Sequence, residues 1–272
     1  MRWAWLAMFG ALSLGCSDAQ GAPTDASTDE RTGIATPDVN TPPLDAGPRL
    51  LPHEGVIVPE LALGIVYVGE LDAGGAPADI PDLQWLVGSP YWLYLEEYGI
   101  QNGTIAGAVR VSTDALIQSS DVGENGLIDI AVLQARIANA VHGNPDAGVA
   151  PTITIPGANG YAFYLPDGLN VALGQRGTYT YQTCIDADGY HAYDGFEPYA
   201  VLPPCDEGRS IYAASHELAE LVTDPQPFDG WASDVDIPKN GGEVADLCAQ
   251  EVMQEGELVT MLWSNAQNGC VP

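Results

Sequence analysis

The sequence predicts an α/β or α+β domain with a mixed sheet and packed helices, and three observations point there. Beyond about residue 50, runs of β-branched and aliphatic residues alternate with segments of helical period, but irregularly, which favours a mixed sheet over a repeated βαβ design. About 220 residues then remain, enough for one sizeable domain with its own core. The composition, 46% hydrophobic with 17% charged, suits a packed chain and not a disordered one.

Taken in order, "ELALGIVYVGEL" (60–71) reads as a buried strand, rich in β-branched residues and closed by Gly and Asp. "DLQWLVGSPYWLYLEEYGI" (82–100) predicts an aromatic helix broken at Gly88-Ser89-Pro90. "GTIAGAVRVS" (103–112) is a second strand. "IDIAVLQARIANAVH" (128–142) places Ile130, Leu133, Ile137 and Val141 at helical spacing. "TITI" (152–155) and "YAFYLP" (161–166) predict short strands, followed by a loop-rich, Tyr- and Gly-rich stretch to Cys205. A helix over 210–223 comes next, stopped by Asp224-Pro225, and the chain closes in loops with a strand at 257–263.

Ahead of this domain, "MRWAWLAMFGALSLGC" (1–16) carries an arginine and an apolar run too short to anchor in a bilayer, which reads as an export signal. "LSLGC" resembles the lipobox of bacterial lipoproteins, with Ser13 where that motif usually has leucine, and Cys16 is the expected lipidated residue. Residues 17–50 are rich in Ser, Thr, Asp, Pro, Ala and Gly and read as a flexible tether, leaving 51–272 as the single folded domain. Five cysteines are an odd number for an exported chain. With Cys16 assigned to a lipid, an even set of four remains. Of the three pairings open to them, Cys184–Cys205 and Cys248–Cys270 are favoured, since each closes a local loop. No CxxC pair exists to suggest a cysteine zinc site.

Charge excludes one class of partner. With 37 acids against 8 bases, the chain carries a formal charge of -29 and would be repelled by a nucleic-acid backbone. GxSxG elbows, P-loops and dinucleotide fingerprints are absent from the sequence. "DADG" (186–189) starts like a calcium loop but lacks the terminal glutamate spacing and reads as a turn.

The chemistry concentrates in "SHELAELVTDP" (215–225). On a helix, His216 and Glu220 lie one turn apart on the same face, so both can reach one cation, as the two histidines of an HExxH helix do. Here glutamate replaces the second histidine, giving HExxE. Glu217, next in the chain, is positioned to act as general base on a metal-bound water. The rival reading is an exposed acidic helix whose histidine only caps or packs. A third ligand must come from downstream, where "GGEVADLC" (241–248) offers Glu243 and Asp246; Glu243 is favoured, with the choice open.

Taken together, "IYAASHELAELVTDP", a Trp after "FDG", "GGEVADLC", "GYHAY" (189–193) and the terminal "LWSNAQNGC" resemble the phosphate-induced, EXORDIUM-like secreted proteins. The resemblance is clear from about residue 160 to 270 and weaker from about residue 60. It implies a secreted or wall-associated protein with a zincin-like metal helix, and matches His216, Glu217, Glu220, Glu243 and Asp246 to that family's histidine and acidic positions. His191, the other histidine of the matched region, is then the expected oxyanion donor, with Tyr193 as the alternative.

The expected function is therefore a lipid-anchored, extracytoplasmic metal-dependent hydrolase, most naturally a zinc peptidase acting on a peptide or envelope substrate. The alternative is a non-catalytic envelope protein with a structural or vestigial metal. Two carboxylates and one histidine leave a divalent centre nearly neutral, which weakens the activation of water and also admits calcium or manganese; the histidine puts zinc first. Mass spectrometry of the mature N-terminus should find a diacylglyceryl mass on Cys16, and an unmodified terminus elsewhere in the tether would rule the anchor out.

Overall fold

Strand β2 (Ala62–Val68) is buried along almost its whole length, as a strand covered on both faces must be. In the computed structural model, which describes residues 48–69, 80–123, 125–205, 210–227, 229–233, 242–248 and 250–272, it is an interior strand of the main sheet, paired on both sides. The signal segment, Cys16 and the tether up to residue 47 lie outside the described residues.

A short β1 (Leu51–Pro52) precedes β2. After β2 come α1 (Ile80–Gly88) and a 3₁₀ segment (Trp92–Tyr98), the predicted aromatic helix split where Ser89 and Pro90 interrupt it. β3 (Thr104–Val111), a short α2 (Thr113–Leu116) and β4 (Leu127–Asp129) lead into α3 (Ile130–His142), whose first turn is capped by the Asp129 carboxylate accepting from the Ala131 N–H. Then follow β5 (Gly160–Tyr164), β6 (Asn170–Arg176), β7 (Tyr179–Gln182), β8 (Tyr190–Tyr193) and β9 (Pro198–Leu202). The motif helix is α4 (Ser210–Thr223). β10 (Trp231–Ala232) pairs back onto β1. Two antiparallel hairpins finish the chain: β11 (Glu251–Gln254) with β12 (Glu257–Thr260), then β13 (Leu262–Ser264) with β14 (Gly269–Val271).

Among the described residues, five strands form the main sheet in the order β3-β2-β5-β9-β8. β3, β2, β5 and β9 run parallel, and only the edge strand β8 is antiparallel to its neighbour. This is the mixed α/β sheet the sequence predicts. Alternation along each strand sorts the core in two. Leu63, Ile65, Ala162, Tyr164, Ala200 and Leu202 face α1 and α4. Val66, Val68, Phe163, Tyr199 and Val201 face the opposite way, toward Leu133 and Ile137 of α3.

Three expectations are corrected. Residues 152–155 form no strand, because the Thr152 and Ile153 N–H groups bond to the Ala140 carbonyl at the end of α3 while Ile153 and Ile155 fill the core. The stretch read as loop before Cys205 contains four strands, β6 to β9; three of them are only four or five residues long, too short to show a period between the turns that separate them. The strand at 257–263 is two strands, β12 and β13, separated at Met261.

The four described cysteines pair as expected, Cys184 with Cys205 and Cys248 with Cys270. Two disulfides fit an oxidising, extracytoplasmic compartment. No helix among the described residues is long and apolar enough to cross a membrane. The Cys248–Cys270 link ties the 242–248 loop to β14 across 22 residues of sequence, a closure that stabilises by about 3 kcal/mol. Replacing both cysteines by serine should therefore lower stability by about 2–4 kcal/mol, read as a lower urea midpoint with a steeper slope, because the uncrosslinked chain unfolds to a more exposed state.

Candidate metal centre

α4 is held by its apolar stripe: Ile211, Ala214, Leu218, Leu221 and Val222 are buried against the sheet and the C-terminal hairpins. Its end is built closely. Thr223 Oγ1 bonds to the Ala219 carbonyl at 2.8 Å, and Pro225 prevents Asp224 from continuing the helix. The Asp224 carboxylate accepts from the N–H groups of Asp229 at 3.0 Å and Gly230 at 2.6 Å, folding the chain back under the helix. Only glycine fits at 230, since a Cβ there would stand 2.3 Å from the Thr223 carbonyl oxygen. That return sends the chain toward the 242–248 loop, so both halves of the predicted site meet at one face of α4.

His191 joins them from β8. It lies in register with Ala200, while its neighbour Ala192 packs into the α3-side core, so the period of two turns His191 toward α4. The side chains form two groups. In the outer one, His216 Nε2 lies 3.3 Å from Glu220 Oε1 and 3.3 Å from Asp246 Oδ1. In the inner one, His191 Nδ1 lies 3.4 Å from Glu217 Oε2 and 3.4 Å from Glu220 Oε2. Each group converges tightly enough for its donor atoms to share one cation. Glu220 belongs to both, one oxygen in each.

Exposure separates the groups. The outer His216 and Asp246 side chains are 19% and 25% exposed, whereas the inner His191 and Glu217 are 4% and 8%. Behind His191, its Nε2 lies 3.1 Å from the Asp224 carbonyl and 3.2 Å from Glu243 Oε1. That Glu243 oxygen is buried without a hydrogen bond. In front, Asp246 donates its backbone N–H to Glu220 Oε1 at 3.1 Å, fixing the oxygen of the outer group.

So many buried acids distort one another's ionisation. Burial alone would lower both histidines, yet the carboxylates around them hold His191 and His216 well above the ordinary imidazole range. Glu220 behaves conversely: burial raises it, but the two histidines together hold it below the usual carboxylate range. Glu243 is pushed up to about 8 by burial and by the charge of Glu220, against the pull of His191. Asp246 rises to about 6 for similar reasons, opposed by His216. Without a cation, protons balance the charge in this cluster, so metal binding must release them.

The structure thus brings together His191, His216, Glu217, Glu220, Glu243 and Asp246. The outer group takes Asp246, and the favoured Glu243 sits behind His191 instead. His191 has both ring nitrogens facing protein groups, which leaves neither aimed at a substrate oxyanion. Tyr193 lies two residues along the same strand, opposite Pro198. Glu217 points inward to His191 and away from the open side. The sequence reading missed Gly189: a Cβ there would stand 3.0 Å from Glu217 Cγ and 2.9 Å from the Val201 carbonyl oxygen. Its only sequence signal was a glycine two residues before a histidine.

Compared with protein-family models, with curated proteins and with solved structures, the chain matches none. Gly189→Ala should displace the Glu217 carboxylate and cost about 1–3 kcal/mol in chemical unfolding. An unchanged midpoint would show that β8 and α4 are not packed this closely.

Proposed function

We propose that the domain is an exported, metal-dependent hydrolase of zincin-like design, acting on a peptide or envelope substrate, with its reacting cation held by His216, Glu220 and Asp246. The single observation carrying this reading is the half-open outer group, because catalytic sites keep a position free for water and substrate while structural sites close. Its donors, one imidazole nitrogen and two carboxylate oxygens, suit zinc first, with manganese or calcium admitted by the carboxylates. A divalent cation there would polarise a bound water or a substrate carbonyl. The protein's own part is positional: the rigid turn of α4 aligns His216 with Glu220, and the Asp246 N–H steadies Glu220 Oε1.

Three further features support the same reading. Two disulfides agree with export. The lipobox-like "LSLGC" supports attachment to a membrane through a lipid on Cys16, at the outer membrane or cell surface. The resemblance to EXORDIUM-like proteins includes, among its segments, the α4 helix and "GGEVADLC", which supply the outer group.

One observation favours a second reading, a non-catalytic envelope protein with a structural cation. Glu217, the expected base, is buried against His191 and not turned to the open side.

Metal analysis of the purified chain and a peptide and ester hydrolysis screen separate these readings. The hydrolase reading expects His216→Ala to lose the outer metal and to reduce hydrolysis more than about 100-fold. Bound metal with no cleavage of any library member would decide for the structural role.

A further inference from the structure

We propose that this centre holds two divalent cations bridged by Glu220, an outer one on His216 and Asp246 and an inner one on His191 and Glu217. The proposal rests on the metal reading above and deepens it.

The distances carry it. A charge-assisted N–H···O bond closes to about 2.7–2.9 Å, as His142 does on Asp194 at 2.8 Å elsewhere in this molecule. Within the two groups His216 Nε2 instead stands 3.3 Å from each of two oxygens, and His191 Nδ1 stands 3.4 Å from each of two. A donated proton selects one acceptor; a nitrogen equidistant from two oxygens faces the space between them. Donor atoms held about 2.1 Å from one tetrahedral ion lie about 3.4 Å apart, which matches the nitrogen-to-oxygen distances in both groups, and all three donor atoms of each group lie within 4.8 Å of one another.

Connectivity then gives two positions and not one. No group among the described residues contains both histidines, while Glu220 enters each group through a different oxygen. A carboxylate used in this way bridges two ions, which in two-metal sites lie about 3.5–4 Å apart.

A separate observation points to the inner ion. His191 Nε2 faces the Asp224 carbonyl and Glu243, so its proton belongs on that side and the Nδ1 lone pair is directed between Glu217 and Glu220. A carboxylate behind a histidine whose other nitrogen faces a site is how a metal-ligating imidazole is oriented. The Asp224 carbonyl fills that orienting position here, and the buried Glu243 Oε1, without a hydrogen bond of its own, adds negative charge 3.2 Å from the same nitrogen. Charge agrees: Glu217, Glu220, Glu243 and Asp246 carry four negative charges when ionised, which two divalent cations cancel with both histidines neutral.

In this arrangement Glu217 is a ligand and not a base. The enclosed inner cation joins β8 to α4, and the outer one keeps the open position.

The test is metal stoichiometry of the purified full chain loaded with Zn²⁺, with Mn²⁺ loading read by electron paramagnetic resonance. Two equivalents and an exchange-coupled Mn²⁺ pair are expected in the unmodified protein. Glu217→Gln and His216→Ala should each fall to one equivalent with the spectrum of an isolated ion, and Glu220→Ala should lose the coupling altogether. One equivalent in the unmodified protein, lost in His216→Ala but kept in Glu217→Gln, overturns the paired centre and leaves the single-cation hydrolase standing. No bound metal in the unmodified protein overturns both. Circular dichroism checks that each variant is folded; should a variant fail, the stoichiometry and spectrum of the unmodified protein decide the matter.

Discussion

Glu220 places one buried carboxylate against two histidines from different elements, and much of the architecture around it follows from that choice. A carboxylate enclosed in a protein core costs several kcal/mol unless charge and hydrogen bonds surround it. The fold meets that demand from three directions. His216 comes from the same helix one turn away, His191 from the edge strand β8, and the Asp246 N–H from the 242–248 loop. Each partner brings further acids, so the compensation has to be shared across the cluster. This sharing explains why Glu220 is driven to ionise while Glu243 holds its proton up to about 8.

The parallel sheet supplies the rigidity that such a cluster requires. Its two faces are fully committed, one to α3 and the other to α1 and α4, so the strands cannot slip without exposing a core. β8 is the exception in direction and lies at the edge. There its alternation delivers a polar side chain to the α4 face without interrupting the apolar interior. The disulfides secure the less regular contributors: Cys184–Cys205 joins the approach to β8 with the approach to α4, and Cys248 follows Asp246 by two residues. Glycines 189 and 230 act where backbone or a carboxylate approaches too closely for any Cβ.

The difference between the two groups bears on chemistry. The inner group is closed to solvent and the outer group half-open, so only the outer one can exchange freely with water. Glu217 shows the consequence. It is one helix position from His216, yet the helical turn of about 100° between neighbours carries it to the interior, where His191 meets it.

The sequence alone determined the local features, because these depend on short-range physics. The central strands announced themselves as continuous apolar runs, α3 by its period and α4 by its composition and its Asp-Pro stop. The disulfide pairs followed from loop closure, and His216, Glu217 and Glu220 from type and spacing on one helix. Features set by distant segments were not legible. Strands β7, β8 and β9 are only four or five residues long and carry tyrosines, and they and β6 take their conformation from the strands they pair with. The choice of Asp246 over Glu243 depended on how one loop crosses the end of α4, and both acids have the same chemistry in one dimension. Likewise, nothing in "GYHAY" indicates that His191 faces Glu220, since a strand's inward side is fixed only by its register with β9. The tertiary structure decided these points because convergence of side chains is a property of packing, in which residues far apart in the chain are placed by the burial of others.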